Sequence, residues 1–201
     1  QWTWFVPHDL KGLAGLMGGN EKAVEKLNHS FELAEKHDFV SGKSHDKETE
    51  EANRMVYLNF GNQPSIQTSY IFNQLGAPWL TQKWTRKVIE KVYTGLSPDF
   101  GYSGDEDQGL MGSLAVLMKI GIFSMDGGVA TTPYYDLSSP IFDSIEIDLH
   151  PDFYPGKQVK IEVKNNSVEN RYIQSASFNG KAIKPWISHQ DLVKGGKIRY
   201  T

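Results

Sequence analysis

The sequence has 201 residues, of which 39% are hydrophobic, so the chain can bury a sizeable core as one large or two small domains. Its formal net charge of -3 supplies no basic field for phosphate backbones, so nucleic acid is not expected as a partner. The absence of cysteine excludes disulfides, thiolate metal sites and a cysteine nucleophile but leaves the compartment open, and no apolar run is long enough to predict a membrane span.

Helical periodicity dominates the chain up to about residue 125. Asp9 is predicted to cap a helix over residues 10–17, and Asn20 to cap a second, amphipathic helix over 21–37. The polar stretch 41–55 is expected to form an exposed connection, either without regular structure or with a helical end.

Three more helices are predicted, over about 65–75, from Pro78 to residue 93, and over 110–120. Proline is tolerated best in the first turn of a helix, which places Pro78 at a helix start. The helix over 110–120 is apolar almost all round, so we expect it to be buried.

The hydrophobic period changes from 3.6 to 2 after about Tyr134, which predicts strands. Residues 144–149 and 159–164 alternate apolar with polar side chains, and Asn179-Gly180 is a strong hairpin signal. Helices followed by strands indicate an α+β fold with two segregated regions.

An acidic loop precedes the last predicted helix and holds Asp105 and Asp107 between glycines. Two carboxylates at this spacing can converge on one cation or on one water to be deprotonated. They can equally be helix caps. An EF-hand is excluded, because neither Asp99 nor Asp105 is followed by the required Glu at the twelfth position.

A second polar cluster is FGNQPS, in which Asn62 and Gln63 precede Pro64 and a helix start. Their side-chain carbonyl oxygens are hard ligands that suit calcium beside a carboxylate. Turn and cap chemistry explains the stretch as well. The six histidines show no metal-binding spacing.

Five motifs along the chain together resemble the C-terminal part of glycoside hydrolase family 92, the calcium-dependent bacterial exo-α-mannosidases. The likeness spans essentially the whole sequence and is far more specific than any one motif. The motifs are WFVPHDLKGLAGLMGG, FGNQPS, GAPWLTQKWTRKV, GDEDQG and YIQSASFNGK.

The resemblance implies an inverting hydrolase that removes terminal α-mannose from glycans with calcium bound at the sugar. It also implies that residues 1–130 form part of an (α/α)6 barrel and that residues 131–201 form a β-rich region. The family's N-terminal β-sandwich would then belong to the same parent chain, upstream. The resemblance favours a secreted or periplasmic protein, with a cytoplasmic one as the alternative.

Site residues follow from the matched motifs. The acidic motif implies a general base and a calcium carboxylate, which we assign to Asp105 and Asp107 in that order. The two roles are exchangeable, because neighbouring carboxylates titrate as a coupled pair. The motif that GNQP matches implies Asn62 and Gln63 as the other calcium neighbours.

The chain departs from the family pattern at three points. The commoner form has Glu where Gln63 stands, so one charge is missing from the metal site. Members specific for α-1,2 linkages place a His-Glu pair where this chain has Phe60 and Gly61, so an α-1,2 preference is not supported. The family's general acid would fall upstream of Gln1, which predicts an inactive polypeptide when these residues are isolated.

A second function class is a non-catalytic carbohydrate-binding or structural module. The aromatic content of 12% suits stacking on sugars, although it suits a large core equally well. In that class the acidic loop would merely cap a helix.

Overall fold

The structure is a computed structural model that describes residues 2–41, 47–97, 103–104 and 110–201. Helices occupy the described chain up to Ile120, and strands follow from Ile122 with one short helix among them. The predicted α+β class is therefore confirmed. The domain boundary at residue 130 stays a prediction.

Helices make up the first part of the chain. Two short 3-10 helices lie at Trp2–Trp4 and Gln63–Ser65. The α-helices are α1 (Leu10–Leu16), α2 (Asn20–Lys36), α3 (Lys47–Asn53), α4 (Thr68–Gln74), α5 (Pro78–Lys91), α6 (Leu110–Ile120) and α7 (His189–Leu192).

The two predicted helix caps have different outcomes. The Asp9 side chain accepts a hydrogen bond from the Gly12 N–H at 2.9 Å, as predicted. The Asn20 cap is wrong: α2 already includes Asn20, and the capping residue is Gly19. The Asn20 amide donates instead to the Leu75 carbonyl at 3.3 Å, which ties the start of α2 to the end of α4.

Two other helix predictions need correction. The helix expected over 65–75 is divided into the 3-10 turn at Gln63–Ser65 and α4. Only one side of α6 is buried, through Met111, Leu114 and Met118, whereas Val116 is 59% exposed.

Aromatic side chains form the centre of the helical core around Phe31 on α2. Its ring stacks on Trp84 of α5 with the centroids 5.0 Å apart, and it also contacts Phe60 and Phe72. All four rings are fully buried, so this cluster joins α2, α4 and α5 to the FGNQPS segment.

Strands make up two sheets. The strands are β1 (Ile122–Phe123), β2 (Tyr134–Leu137), β3 (Ser144–Asp148), β4 (Gln158–Val163), β5 (Ala176–Phe178), β6 (Lys181–Ala182), β7 (Trp186–Ser188) and β8 (Gly196–Tyr200). One sheet has the order β1-β2-β7 and the other β3-β4-β8-β5-β6, in which β4 and β8 are parallel.

The predicted alternation and hairpin are both present. Val159 and Ile161 of β4 and Ile198 of β8 are buried in the β-rich core. Asn179 and Gly180 join β5 to β6 with φ angles of 49° and 81°, the backbone that an Asn-Gly turn favours.

Polar side chains of α5 hydrogen-bond to the β-rich region and hold it against the helices. The Arg86 guanidinium donates to Asn166 Oδ1 and to the Ser167 carbonyl, both at 2.7 Å. One turn earlier, Gln82 Oε1 accepts from the Ile173 N–H at 3.0 Å. The loop between β4 and β5 is thus held on one face of α5.

Candidate functional site

The FGNQPS segment is held by hydrogen bonds to the buried residue that precedes it, Asn59. Asn59 Oδ1 accepts from the Gly61 N–H at 2.7 Å, and its backbone carbonyl accepts from the Asn62 N–H at 3.1 Å. The Asn59 N–H in turn donates to Ser65 Oγ at 3.0 Å. The backbone of this short loop is therefore fixed from inside by Asn59 and Ser65.

Asn62 and Gln63 are adjacent and half-buried at the start of the 3-10 turn. The cap interpretation of Asn62 is not supported, since its side chain makes no cap hydrogen bond although it stands at the N-cap position. Its amide oxygen is therefore not committed to the helix end and is a hard oxygen donor of the kind that calcium binds.

Gly104, the residue directly before Asp105, lies against Gly61, the residue directly before Asn62. A Cβ added to Gly104 would collide with the carbonyl oxygen and Cα of Gly61. Gly104 also has a φ of +76°, which a residue with a side chain adopts only at a cost. The contact brings together the polypeptide at the starts of the two polar motifs.

Tyr93 at the end of α5 forms a second connection between the same segments. Its buried hydroxyl donates to the Phe60 carbonyl at 3.0 Å and lies 3.9 Å from Met111 Sδ at the start of α6. Ser103 Oγ, on the other side of the acidic loop, donates to the Val92 carbonyl at 3.3 Å. Residues on both sides of the loop are thus fastened around the FGNQPS segment.

The candidate catalytic pair, Asp105 and Asp107, lies outside the described residues. Of the predicted metal ligands, the structure places Asn62 and Gln63 side by side. Within the described ranges, no three His, Cys, Asp or Glu side chains group to hold a metal ion. A cation site at this place would therefore combine the two amides with acidic side chains from the neighbouring motif.

Asp136 on β2 is a buried carboxyl that the sequence analysis did not identify. Its Oδ1 accepts from Asn73 Nδ2 at 3.3 Å and from Gln74 Nε2 at 3.1 Å. Its Oδ2 has no hydrogen-bond partner among the described residues. Burial raises the pKa of this carboxyl to about 7, and the two amide hydrogen bonds only partly oppose that rise.

No sequence signal distinguishes Asp136 from a strand acid that faces solvent. It becomes buried because α4 packs over β2, where Asn73 Nδ2 also contacts the backbone carbonyls of Leu137 and Pro185 at 3.0 and 3.1 Å. Only the tertiary contact between a helix and a strand creates this environment.

Comparisons with known proteins find matches over the full chain. Residues 1–201 match the model of the glycosyl hydrolase family 92 catalytic domain. A curated relative, an uncharacterized secreted glycosidase of Arthroderma benhamiae, is 29% identical over 98% of this chain and 22% of its own length.

The solved structures that are similar to this chain include members of the same family. A family 92 α-mannosidase from Bacteroides thetaiotaomicron has a TM-score of 0.77 at 25% identity, over 99% of this chain and 24% of that one. A family 92 inverting mannosidase from the same organism has a TM-score of 0.74 at 30% identity, over 100% of this chain and 26% of that one. The chain therefore spans about a quarter of the length of these relatives. Within its described residues, no helix is long and apolar enough to cross a membrane.

Proposed function

This chain belongs to glycosyl hydrolase family 92, and from that premise we propose that it is part of an inverting, calcium-dependent exo-α-mannosidase acting on mannose-containing glycans. One solved relative is named an α-mannosidase, which supports α-mannoside as the substrate, and the other is named an inverting mannosidase, which supports inversion as the outcome. An α-1,2 preference is left out of the proposal, because Phe60 and Gly61 replace the pair that accompanies it.

The contact between Gly104 and Gly61 carries the assignment of the site. Asp105 is bonded to Gly104, and Asn62 is bonded to Gly61, so the two polar motifs start from touching residues. We assign Asn62, Gln63 and Asp107 as calcium neighbours. The donor set fits the ion, since amide and carboxylate oxygens are the hard ligands that calcium prefers.

Bound calcium would supply positive charge for the hydroxyl oxygens of the terminal sugar. In the proposed reaction, Asp105 accepts a proton from the water that attacks the anomeric carbon. A second, protonated carboxyl assists the departing glycosidic oxygen from the opposite side of the sugar. We propose that this acid is supplied by chain upstream of Gln1.

The helical region is proposed to be one part of an (α/α)6 barrel. Exposed apolar side chains on helices of this region, such as Leu16 and Val116, agree with helices that meet further chain in the complete protein. The missing partner is then the upstream part of the same polypeptide.

The experiment uses the longer protein that contains this chain. It should hydrolyse 4-nitrophenyl α-mannoside, lose that activity on chelation and recover it when calcium is restored. Asp105→Ala should lower kcat by about 10²- to 10⁴-fold, the usual contribution of a positioned base. Calcium binding measured by calorimetry should weaken in Asp107→Asn but not in Asp152→Asn, a matched change at an exposed aspartate in the β-rich region.

The isolated 201-residue polypeptide should not hydrolyse 4-nitrophenyl α-mannoside. This is a demanding test, because the 4-nitrophenolate leaving group of that substrate needs little acid assistance. Turnover close to that of the longer protein would show that these residues form a complete enzyme. Full activity of the longer protein after exhaustive chelation would contradict the calcium assignment.

A further inference from the structure

Three depressions adjoin one another on the protein surface and share two aromatic side chains, Tyr134 and Trp186. The middle depression has a volume of about 260 Å³ and is lined by both rings together with Gln74 and Thr132. Tyr134 also lines a depression of about 320 Å³ on one side. Trp186 lines a third, of about 520 Å³, on the other. Because neighbouring depressions share one of these rings, the three are treated together and called the Tyr134-Trp186 groove.

The two rings form a corner in the groove. Their centroids are 6.2 Å apart and their planes meet at 67°, and the Trp186 side chain is 40% exposed. A pyranose has one face made of C–H groups and an edge of hydroxyls. An exposed aromatic face can pack against the first while polar neighbours bind the second.

Polar groups of suitable kinds stand beside the rings. Gln74 Nε2 donates to the buried Oδ1 of Asp136 at 3.1 Å, which fixes the orientation of the amide whose remaining atoms border the groove. No described residue hydrogen-bonds to the Tyr134 hydroxyl, which is protonated at neutral pH as any tyrosine hydroxyl is and can donate to a ligand. An amide, a phenol and the Thr132 hydroxyl together offer donors and acceptors to sugar hydroxyls.

The widest depression is lined by three lysines, Lys181, Lys184 and Lys194, and by one acid, Asp191. Lys194 Nζ forms an ion pair with Asp191 at 2.8 Å, and Lys184 Nζ lies 5.6 Å from the Trp186 ring centroid. Lys181 and Lys184 have no ion-pair partner among the described residues, so the lining keeps a positive charge, and the choice of a neutral sugar rests on the two rings and their polar neighbours.

We propose that the Tyr134-Trp186 groove binds an oligosaccharide stretch of the glycan away from the sugar that reacts. Gln74 is the last residue of α4, whereas Asn62 and Gln63 precede its first turn, so the groove and the proposed catalytic site lie beyond opposite ends of that helix. The choice of mannose as the sugar rests on the proposed function. Holding a second part of a long glycan raises the effective concentration of its chain ends at the catalytic site.

The test is native gel electrophoresis of the longer protein with and without soluble mannan in the gel, a measurement that needs no turnover. Mannan should retard the unmodified protein. Trp186→Ala should weaken the apparent affinity by about five- to tenfold, as loss of one aromatic contact predicts. Trp79→Ala, a change at a 54% exposed tryptophan on α5, should be retarded like the unmodified protein.

Tyr134→Phe gives a second variant that keeps the ring and removes only the hydroxyl, so it preserves the packing of β2. It should weaken retardation about twofold or more. Unchanged retardation of Tyr134→Phe and Trp186→Ala, or equal loss in Trp79→Ala, would overturn the inference. The inference would also be wrong if another segment of the longer protein occupied the groove. In that case mannan would not retard the unmodified protein.

Kinetics separates this inference from the proposed function. Trp186→Ala should leave kcat/KM on 4-nitrophenyl α-mannoside unchanged and raise KM for mannan. Hydrolysis without retardation by mannan would count against the groove alone. Retardation without any mannoside hydrolysis would count against the proposed function alone.

Discussion

Gly104 is a residue whose importance the sequence only partly reveals. Glycines on both sides of the acidic loop indicate a tight turn, and the positive φ of Gly104 agrees with that expectation. The contact with Gly61 has no sequence signal, because it joins segments more than forty residues apart. Sequence motifs therefore locate the two halves of the site, while tertiary packing decides that they meet.

Gly104→Ala should destabilise the protein and lower its activity, because the new methyl group would separate the two motifs. Gly127→Ala is the matched control, since Gly127 also has a positive φ, of 65°, but has open space around its Cα. Both variants should pay about 1–2 kcal/mol for the backbone conformation. Only Gly104→Ala should lose further stability through the collision with Gly61, which urea unfolding would measure as a lower free energy of unfolding. Only this variant should also lose most of its kcat/KM. Equal behaviour of the two variants would mean that the Gly61 contact is unimportant.

Asp136 should make stability depend on pH. Its folded-state pKa of about 7 lies above the ordinary value of 3.8, so the folded protein binds the proton more tightly than the unfolded chain. The stabilising contribution of that proton is complete below pH 4 and is lost as the pH rises through 7. At pH 8, Asp136→Asn should therefore be more stable than the unmodified protein by up to about 4 kcal/mol.

Denaturant unfolding of both proteins across pH 4 to 8 measures this difference. At pH 4 the two should have similar free energies of unfolding, because both carry a neutral side chain at this position. A difference that does not change with pH would show that the carboxyl titrates near its ordinary range.

Elements were predictable where one local rule decides them. The 3.6-residue period predicts α2 and α5, and the two-residue period predicts β3 and β4. The rules fail where two signals compete. Asn20 is a good cap, but Gly19 before it adopts a φ of +110° and starts the helix one residue earlier. The pairing of parallel β4 with β8 was not predictable, because no local pattern specifies which distant strand is the neighbour.

Arg86 tests how α5 holds the β-rich part. Its side chain is 5% exposed and makes two 2.7 Å hydrogen bonds to residues 166 and 167. Arg86→Ala should cost roughly 2 kcal/mol, since charge-assisted hydrogen bonds are lost while a buried charge is also relieved. Lys91→Ala on the same helix removes an exposed ion pair with Asp38 and should cost less than about 1 kcal/mol.

Thermal unfolding of the two variants gives the comparison, and limited proteolysis tells where the structure loosens. Arg86→Ala should become sensitive to cleavage near residues 164–172. Equal stability of the two variants would show that the loop is held by its other contacts.

At the scale of the whole molecule, the helical region and the five-stranded sheet differ in the polar residues that they contain. The two polar motifs of the proposed catalytic site lie in the helical region. Acidic side chains of the five-stranded sheet instead form ion pairs with basic side chains on the same or the adjacent strand. Glu162 contacts Lys197 at 2.9 Å and Arg199 at 3.2 Å. These cations lower the pKa of Glu162 through hydrogen bonds at the surface. Such pairs are cross-strand contacts, and we therefore expect the sheet to carry no reacting group.

Glu162→Gln in the longer protein should therefore keep mannoside turnover within about twofold of normal, because exposed ion pairs contribute little. Glu146→Gln, which removes one of the two acidic partners of Lys160, should behave in the same way. A loss of several orders of magnitude in kcat with unchanged unfolding would place a reacting group on the sheet.

Strand β8 lies between β4 and β5 in its sheet, although it follows every other strand along the chain. The hairpin of β3 with β4 and that of β5 with β6 can each pair locally, but nothing joins them until β8 arrives. During synthesis, which proceeds at about 5–20 residues per second, both hairpins must therefore wait with one edge open to unwanted pairing. Shortening the polypeptide by even the five residues of β8 would leave two separate ribbons instead of one sheet.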